Sequence, residues 1–311
     1  MKRPLVIAHR GASGDLPEHT LPAYALAILQ GADYIEPDLV ITRDGVLVAR
    51  HDAELSATTD VAAHAAFAAR RKRQMIDGRE LEGWFIEDFT LTELRTLRAR
   101  ERFAELRPHS AAHDGQFAIA TFGEILDFLA TVNAARRDAG RAPVGVYPET
   151  KHPTHFRARG LPLEPPLLAE VQRALADAPL FIQSFEAANL IALRGECEHP
   201  LVRLIDPAGS MPELAQVATY AQAIGVHKDA AVDPMSGAAT GLVERAYAAG
   251  LAVHVWTVRA ENRFLGARWR QGDDPAAWGD IAGEIAALIA AGVDGMFCDQ
   301  PGEARRIVHL I

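Results

Sequence analysis

Short apolar runs alternate with amphipathic segments along the whole chain. The apolar runs predict eight strands, at Leu5–Ala8, Tyr34–Val40, Val144–Pro148, Leu180–Ser184, Val202–Ile205, Ala223–Val226, Ala252–Val258 and Gly295–Cys298. The amphipathic segments predict helices, at Leu21–Gln30, Phe122–Arg137, Pro166–Ala176, Glu186–Arg194, Pro212–Ala221, Gly241–Ala249 and Ala276–Ala291. Eight strands that alternate with helices predict an α/β fold, a (β/α)8 TIM barrel.

The second and third predicted strands are too far apart in the chain for one helical crossover. The apolar stretch "DGVLVARHD" follows the second strand, and we interpret residues 53–116 as an insertion on the top face of one domain spanning 1–311. The insertion contains the basic run "RRKR", Arg70 to Arg73, followed by the acidic stretch "DGRELEGWFIED". Because of these acidic surroundings we predict a solvated helix face there rather than a nucleic-acid contact.

Composition narrows the classes of partner. The 311 residues are 49% hydrophobic, which is enough for one large core, and the net charge is −9. A negative chain is a poor partner for nucleic acid or an anionic membrane surface, so we predict neither. If the substrate is an anion, a few placed cations or a bound metal must attract it locally.

Two features bear on location. The N-terminal apolar run, Leu5–Ala8, is too short for a signal peptide, and the alanine-rich segment near the C-terminus is interrupted by Glu284 and Asp294, which favours a buried helix over a membrane span. Cys197 and Cys298 have no metal or disulfide spacing, which favours free thiols and a reducing compartment. We therefore expect a cytoplasmic protein without an integral membrane segment, or a periplasmic one if a signal peptide preceded residue 1.

Polar residues stand where the predicted strands end. They are His9, Arg10, Glu36, Asp38, Glu149, Lys151, Gln183, Trp256 and Asp299. Barrel enzymes take their catalytic residues from these carboxyl ends, so we predict the active site there and expect Gln183 and Trp256 to contact substrate. Trp256 as a core aromatic and Asp299 as the cap of a helix beginning at Pro301 are the alternatives, and for Asp299 we favour the cap.

Three carboxylates form a candidate metal site. Glu36 and Asp38 are two residues apart on a strand, so both side chains point to one face, and Glu149 follows on the next strand. Carboxylates without a thiolate suit Mg²⁺ or Ca²⁺ better than zinc. Salt bridges to Arg10 and Lys151 are the alternative.

Two histidines each end an apolar run, His9 after "VIA" and His51 after "VLVAR". Two imidazoles can act as the base and the acid of one reaction near neutral pH. Gly11 and Gly14 allow a tight turn above the first strand, although no P-loop or dinucleotide motif is present. His19 lies in the same loop and stays a further candidate.

The motifs "AHRG", "PEHT", "EPD", "RHD" and "YPETK" occur in this order along the chain. Together they resemble the glycerophosphodiester phosphodiesterase family, and "ASGDLPEHTLPAY" and "GADYIEPDLVITRDGVLVARHD" look most like its bacterial periplasmic branch. The similarity runs from Leu5 to Pro301. It implies a (β/α)8 barrel with an insertion after the second strand, in agreement with the hydrophobic pattern.

The resemblance implies roles for single residues. The catalytic histidine pair of the family matches His9 and His51, and its phosphate-binding arginine and lysine match Arg10 and Lys151. The divalent-metal ligands of the family match three further positions, Glu36, Asp38 and Glu149. One Mg²⁺ or Ca²⁺ ion is therefore the implied cofactor.

The implied reaction is hydrolysis of a small glycerophosphodiester to glycerol 3-phosphate and an alcohol. Family chemistry suggests that the glycerol 2-hydroxyl attacks phosphorus and that water then opens the resulting cyclic phosphate. Two alternatives stay open. One is a related barrel phosphodiesterase that acts on lysophospholipid or sphingomyelin, and the other is a barrel that binds phosphodiesters without turnover.

Overall fold

Strands and helices alternate along residues 3–174 and 178–311, which this computed structural model describes. The strands are β1 (Leu5–His9), β2 (Tyr34–Glu36), β3 (Asp38–Ile41), β4 (Leu47–Ala49), β5 (Lys72–Ile76), β6 (Arg79–Gly83), β7 (Gly145–Val146), β8 (Glu149–Thr150), β9 (Ile182–Ser184), β10 (Leu201–Ile205), β11 (Ala223–His227), β12 (Ala252–Val258) and β13 (Gly295–Cys298). The α-helices are α1 (Leu21–Leu29), α2 (Leu91–Leu94), α3 (Pro108–Ala111), α4 (Phe122–Asp138), α5 (Pro153–Arg157), α6 (Glu164–Ala174), α7 (Ala187–Arg194), α8 (Leu214–Val217), α9 (Leu242–Ala248), α10 (Ile281–Ala290) and α11 (Pro301–Leu310).

Parallel pairing closes the sheet into a barrel. Strand β1 pairs with β2 and with β13, and the ladder continues from β8 through β9, β10, β11 and β12 to β13. Two further parallel pairs complete the ring between β1 and β8: β2 pairs with β7, and β3 pairs with β8. Since β2 and β3 are halves of one barrel strand, and β7 and β8 of the next, eight strands surround one interior. The predicted TIM barrel is confirmed.

Prolines divide the second and third barrel strands. Pro37 separates β2 from β3, and Pro148 stands just before β8. A proline has no N–H to donate to the ladder, so each strand breaks there and pairing resumes one or two residues later. The carbonyl of Pro37 still accepts a hydrogen bond from the N–H of Glu149, at 2.9 Å. The breaks therefore lie at the carboxyl ends, beside the predicted carboxylates.

The predicted helices are present with changed limits. The segment Pro212–Ala221 is helical only over α8, and Ala276–Ala291 begins later, at α10, where the side chain of Asp280 accepts a hydrogen bond from the N–H of Gly283. The end of the segment predicted at Pro166–Ala176 lies outside the described residues. Helices such as α7, α9 and α11 pack on the outer face of the barrel, where the larger apolar core lies.

The basic run passes from a short helix into a hairpin, so the predicted helix face is wrong for its second half. Arg70 ends a 3-10 helix, Ala65–Arg70, whereas Lys72 and Arg73 lie in β5. Strands β5 and β6 pair antiparallel around Asp77 and Gly78, whose φ angles are 47° and 77°. Two positive φ angles at an Asp-Gly pair are those of a tight hairpin turn. Arg73 is exposed and pairs with Glu82 across the hairpin, so the run is solvated as expected. The limits of the insertion, 53–116, and the single domain stay predictions.

The barrel interior carries an apolar layer beneath the mouth. Ile7, Tyr147 and Phe297 belong to this inner cluster, in which the rings of Tyr147 and Phe297 lie edge to face at 5.0 Å. Because strand side chains alternate, His9 shares the inward face of β1 with Ile7. The layer therefore forms the floor above which His9 projects.

Candidate active site

His9 is the last residue of β1, and an aspartate from the neighbouring strand end holds its ring. Its Nδ1 lies 2.7 Å from Oδ1 of Asp299, and both side chains are buried. Burial and, after it, the charge of Arg10 lower the pKa of His9 to about 4. An ionised aspartate can only accept a hydrogen bond, so Nδ1 carries the proton and Nε2 is the basic nitrogen.

The loop after β1 turns sharply through residues with left-handed backbone. Arg10 has a φ of 61° and Gly11 a φ of 90°. A Cβ at position 11 would lie 2.8 Å from the backbone of Ala23 in α1, so only glycine fits. This contact explains the predicted tight turn and aims Arg10 across the barrel mouth.

Arg10 is anchored among carboxylates. Its N–H donates to Oε2 of Glu36 at 2.9 Å, and its Nη1 lies 3.1 Å from Oε2 of Glu18. Its Nε lies 3.1 Å from Oδ2 of Asp38 without hydrogen-bond geometry, which leaves this buried donor unbonded. Burial opposes the charge of Arg10, but Glu18 and Asp38 outweigh it and raise its pKa. The guanidinium is thus always charged.

Glu36, Asp38 and Glu149 form the predicted cluster. Each offers one oxygen, these oxygens lie within 4.8 Å of one another, and all three residues are buried. Burial and the two other carboxylates raise the pKa of Glu36 well above its usual value. Burial raises the pKa of Glu149 to about 8, whereas Lys151 and Arg10 overcome the effect of burial at Asp38 and lower its pKa.

The contacts of Lys151 and Gln183 show whether the carboxylate cluster suits a cation. Lys151 places Nζ 2.8 Å from Oε1 of Glu149, so the predicted salt bridge is also formed. Among the described residues, Glu36 has no cationic partner within 4 Å and accepts hydrogen bonds from Arg10 and from Nε2 of Gln183, at 3.0 Å. The Oε1 atom of Gln183 is buried and unbonded. Surplus carboxylate charge beside an unbonded oxygen suits a hard divalent cation.

His51 follows β4 at the rim of the barrel. Its Nδ1 lies 2.7 Å from Oδ1 of Asp52, the next residue, and both side chains are about one-third exposed. Burial, and then the charges of Arg10 and Lys151, lower the pKa of His51 to about 3. Like His9, this ring is neutral at pH 7, with Nδ1 committed to an aspartate.

Trp256 forms an aromatic wall of the mouth. Its ring lies edge to face with Phe185 and His227, with centroids 5.8 and 5.4 Å apart. Its Nε1 is buried and has no hydrogen-bond partner among the described residues. Trp256 therefore faces the site and is not simply a core aromatic.

One cavity of about 160 Å³ collects these groups at the barrel mouth. Of the nine predicted site residues, eight line it, and the exception is Asp38, which lies behind Arg10. The cavity joins two neutral histidines, two fixed cations and a carboxylate cluster. Such an arrangement can hold a phosphate, bind a divalent cation and transfer protons on two sides.

Comparison with known proteins decides the family. A sequence model of the glycerophosphoryl diester phosphodiesterase family matches residues 9–303. The chain belongs to this family. It is therefore a phosphoric diester hydrolase.

Sequence relatives cover nearly the whole chain. The glycerophosphodiester phosphodiesterase GDPD6 of Arabidopsis thaliana is 35% identical over 340 residues, which cover 99% of this chain and 87% of the relative. The glycerophosphodiester phosphodiesterase of Haemophilus influenzae is 29% identical over 343 residues, covering 96% and 87%. The likeness to the periplasmic branch and the cellular location stay predictions.

Solved structures share the fold. A putative glycerophosphoryl diester phosphodiesterase from Silicibacter pomeroyi aligns with a TM-score of 0.73 at 26% identity, over 99% of this chain and 94% of that one. An Oleispira antarctica phosphodiesterase, solved with the product sn-glycerol-3-phosphate, aligns with a TM-score of 0.66 at 21% identity, over 98% and 97%. Within the described residues of this phosphodiesterase, no helix has the length and apolar character needed to cross a bilayer.

The role predicted for Asp299 is wrong. Helix α11 has Gln300 at its N-cap position, without a side-chain capping bond. Asp299 binds His9 through one oxygen, and its other oxygen lies 2.7 Å from Nε of Arg259. Buried cationic partners hold the carboxylate more strongly than a helix end does. The position of Asp299 directly after a strand is the sequence feature that could have indicated a functional role.

His19 supports the carboxylate cluster from behind. Its Nε2 lies 3.0 Å from Oδ2 of Asp38, and its Nδ1 lies 2.9 Å from the hydroxyl of Tyr24. The residue is buried and has a φ of 61°. It therefore orients a candidate metal ligand and does not line the cavity.

Proposed function

We propose that this phosphodiesterase hydrolyses small glycerophosphodiesters to glycerol 3-phosphate and an alcohol, with His9 and His51 as base and acid. The observation that carries the proposal is the shared cavity, which both histidines line together with Arg10 and Lys151. Family membership and the names of its relatives support the substrate class.

The cations of the cavity bind the diester. Arg10 and Lys151 line the same cavity, so both cations can contact a phosphoryl oxygen there. Their fixed charges offset the negative charge that gathers on the phosphoryl oxygens in the transition state. A donor already in place needs no reorganisation at the moment of reaction.

The histidines move the protons. One neutral imidazole takes the proton of the glycerol 2-hydroxyl through Nε2 as this oxygen bonds to phosphorus, and the other ring, whose protonated form the bound phosphate anion favours, gives its proton to the departing alcohol. Water then attacks the cyclic phosphate and gives a proton to the second ring, while the bond to the 2-oxygen breaks and this oxygen takes back the proton of the first ring. Glycerol 3-phosphate forms, and both rings return to their starting forms. Either histidine can take either role, because both present Nε2 and hold Nδ1 on an aspartate.

Glu36, Asp38 and Glu149 would hold one Mg²⁺ or Ca²⁺ ion. When bound, such an ion acts as a Lewis acid that lowers the pKa of a coordinated hydroxyl and offsets phosphoryl charge. The side chain of Gln183 holds Glu36 in place, and Lys151 does the same for Glu149.

Two substrates test the proposal directly. We expect turnover of glycerophosphocholine with added Mg²⁺ or Ca²⁺, and a transient cyclic phosphate in ³¹P NMR spectra. Bis(p-nitrophenyl) phosphate has no hydroxyl beside the ester carbon, so intramolecular attack and its effective-molarity advantage are lost. Comparable rates on both diesters would exclude the cyclic route, and faster turnover of lysophosphatidylcholine would move the enzyme to the lysophospholipid class.

A further inference from the structure

An arginine outside the cavity holds the aspartate that orients His9. Arg107 places Nη2 2.7 Å from Oδ2 of Asp299, while Oδ1 of the same carboxylate lies 2.7 Å from Nδ1 of His9. Arg107 also binds Glu261 at 2.6 Å and the carbonyl of Ser13 at 3.0 Å. Its side chain is only 2% exposed, so protein groups occupy its donors.

A second arginine does the same for His51. Arg102 places Nη1 2.8 Å from Oδ2 of Asp52, while Oδ1 of that carboxylate lies 2.7 Å from Nδ1 of His51. Its remaining donors, Nε and Nη2, bind both oxygens of Glu18 at 2.9 and 2.8 Å. Glu18 in turn pairs with Arg10.

The two arginines lie five residues apart, on one segment between α2 and α3. Neither lines the cavity of the candidate active site, so neither is placed to touch the phosphate. The segment is itself anchored, because Glu101 binds the hydroxyl of Ser110 at 2.6 Å and the guanidinium of Arg107 stacks over Phe103. One rigid segment therefore reaches both histidine–aspartate pairs.

We propose that Arg102 and Arg107 are positioning residues, through which the segment 101–107 sets the ring orientation and tautomer of both histidines by fixing Asp52 and Asp299. This inference rests on the proposed two-histidine function. A carboxylate held at one oxygen by a guanidinium presents the other oxygen to the ring in a fixed direction. A ring so held keeps its proton on Nδ1 and leaves Nε2 for the reaction.

The additional contacts predict different kinetic signatures. Arg102 also fixes Glu18, which holds Arg10, so its loss disturbs phosphate binding as well as His51. Arg107 acts through Asp299, which orients His9 and also binds Arg259 at the cavity wall, and Arg259 stays paired with Asp299 when Arg107 is lost. We expect Arg102→Gln to lower kcat and raise KM, and Arg107→Gln to lower kcat at nearly constant KM.

The experiment compares these variants with a matched control. Arg100→Gln removes an exposed arginine that makes only a 3.4 Å contact with Asp114. We expect kcat to fall about 10- to 100-fold in Arg102→Gln and Arg107→Gln, the range typical of partners that orient a reactive histidine. The lysine variants should recover part of this loss, and the control should stay within about twofold of the wild type.

Histidine tautomers give a readout that a merely structural role would not move. Long-range ¹H–¹⁵N spectra of the folded variants should show His51 altered by Arg102→Gln and His9 altered by Arg107→Gln, with no cross effect. Double-mutant cycles should couple Arg107 with Asp299, while Arg107 combined with Asp52→Asn should be additive.

Unchanged tautomers, additive Arg107–Asp299 effects or rates equal to those of the control would overturn the inference. If Arg107→Gln does not fold, Arg102→Gln decides alone, because its site at the rim is partly exposed. Near wild-type turnover in His9→Ala or His51→Ala would instead overturn the proposed function. Inactive histidine variants with control-like arginine variants would overturn only this inference.

Discussion

His9 and His51 face one cavity, but two different kinds of structure hold them. The aspartate of His9 is Asp299, 290 positions along the chain, and both side chains are buried. The aspartate of His51 is its immediate neighbour Asp52, and both side chains are about one-third exposed. The distance between Nδ1 and the carboxylate is 2.7 Å in each case.

We call His9 with Asp299 the His9 side and His51 with Asp52 the His51 side. The two sides depend on different parts of the structure. The His9 side exists only when β13 pairs with β1 and closes the barrel, so its geometry is tied to the global fold. The His51 side is local in sequence, and Arg102, from a distant loop, fixes it in space. A buried inner side and a more exposed rim side therefore border the same cavity.

Removal of the metal should have the largest effect, because in the proposed mechanism one cation assists both proton transfers. We expect a chelator to reduce turnover of glycerophosphocholine to background, and Mg²⁺ or Ca²⁺ to restore it. Without a cation the diester loses the Lewis acid that would lower the pKa of its 2-hydroxyl and offset its phosphoryl charge. Full turnover in a thoroughly chelated sample would contradict the metal site.

Loss of either histidine should come next. We expect His9→Ala and His51→Ala each to lower kcat by about 10²–10⁴ at near-normal metal affinity. Because the two act as one unit, the double variant should be little worse than either single variant. Steady-state kinetics with calorimetric metal titration check this. A double variant with fully multiplied losses would show that the two sides work independently.

Arg10 follows His9 in the chain and reaches the His51 side through Glu18, which also binds Arg102. We expect Arg10→Ala to lower kcat/KM by about 10- to 150-fold, the equivalent of about 1.5–3 kcal/mol for hydrogen bonds to a charged group. Arg10→Lys should recover only part of this, because a point charge cannot replace the planar fork. Equal kinetics of the lysine variant and the wild type would show that charge alone matters.

The smallest effect concerns stability and separates the two sides most clearly. We expect Asp299→Asn to lower the free energy of unfolding by about 1–3 kcal/mol, because it removes the buried carboxylate charge that Arg107 and Arg259 share and leaves Arg107 with Glu261 as its one charged partner. Asp52→Asn should cost about 0–1 kcal/mol at the exposed rim. Urea unfolding of both variants measures the difference. Equal losses would mean that the rim side is as rigid as the inner one.

Local patterns predicted most of the barrel. The alternation of apolar runs with helices is visible at each strand, and even the break at Pro37 follows from one missing N–H. The prediction of secondary structure failed where the same short stretch of residues is compatible with both a helix and a hairpin. The "RRKR" run suits a helix by charge, and Arg70 does end a short helix, but the Asp77-Gly78 turn that follows pairs Lys72 and Arg73 into a hairpin.

The candidate site was predictable as a set of residues but not as a network. Strand-end positions predicted seven residues that line one cavity, because parallel strands bring their carboxyl ends together, and the apolar run before His51 predicted an eighth. Asp299 was assigned to a helix cap, since nothing adjacent in the sequence shows that His9 and Arg107 surround it. Arg102 and Arg107 have no local signal, because their partners lie in other loops.

The amino-acid sequence alone predicts the strand and helix order, the glycine-dependent turn after β1 and the residue types at the barrel mouth. These follow from periodicity, backbone sterics and neighbouring residues, which act over a few positions. Which carboxylate pairs with which cation is seen only in the tertiary structure. Barrel closure brings β1 against β13, and the loop after α2 lies across both histidine sides, so charges distant in sequence meet in a buried space where each must find a partner.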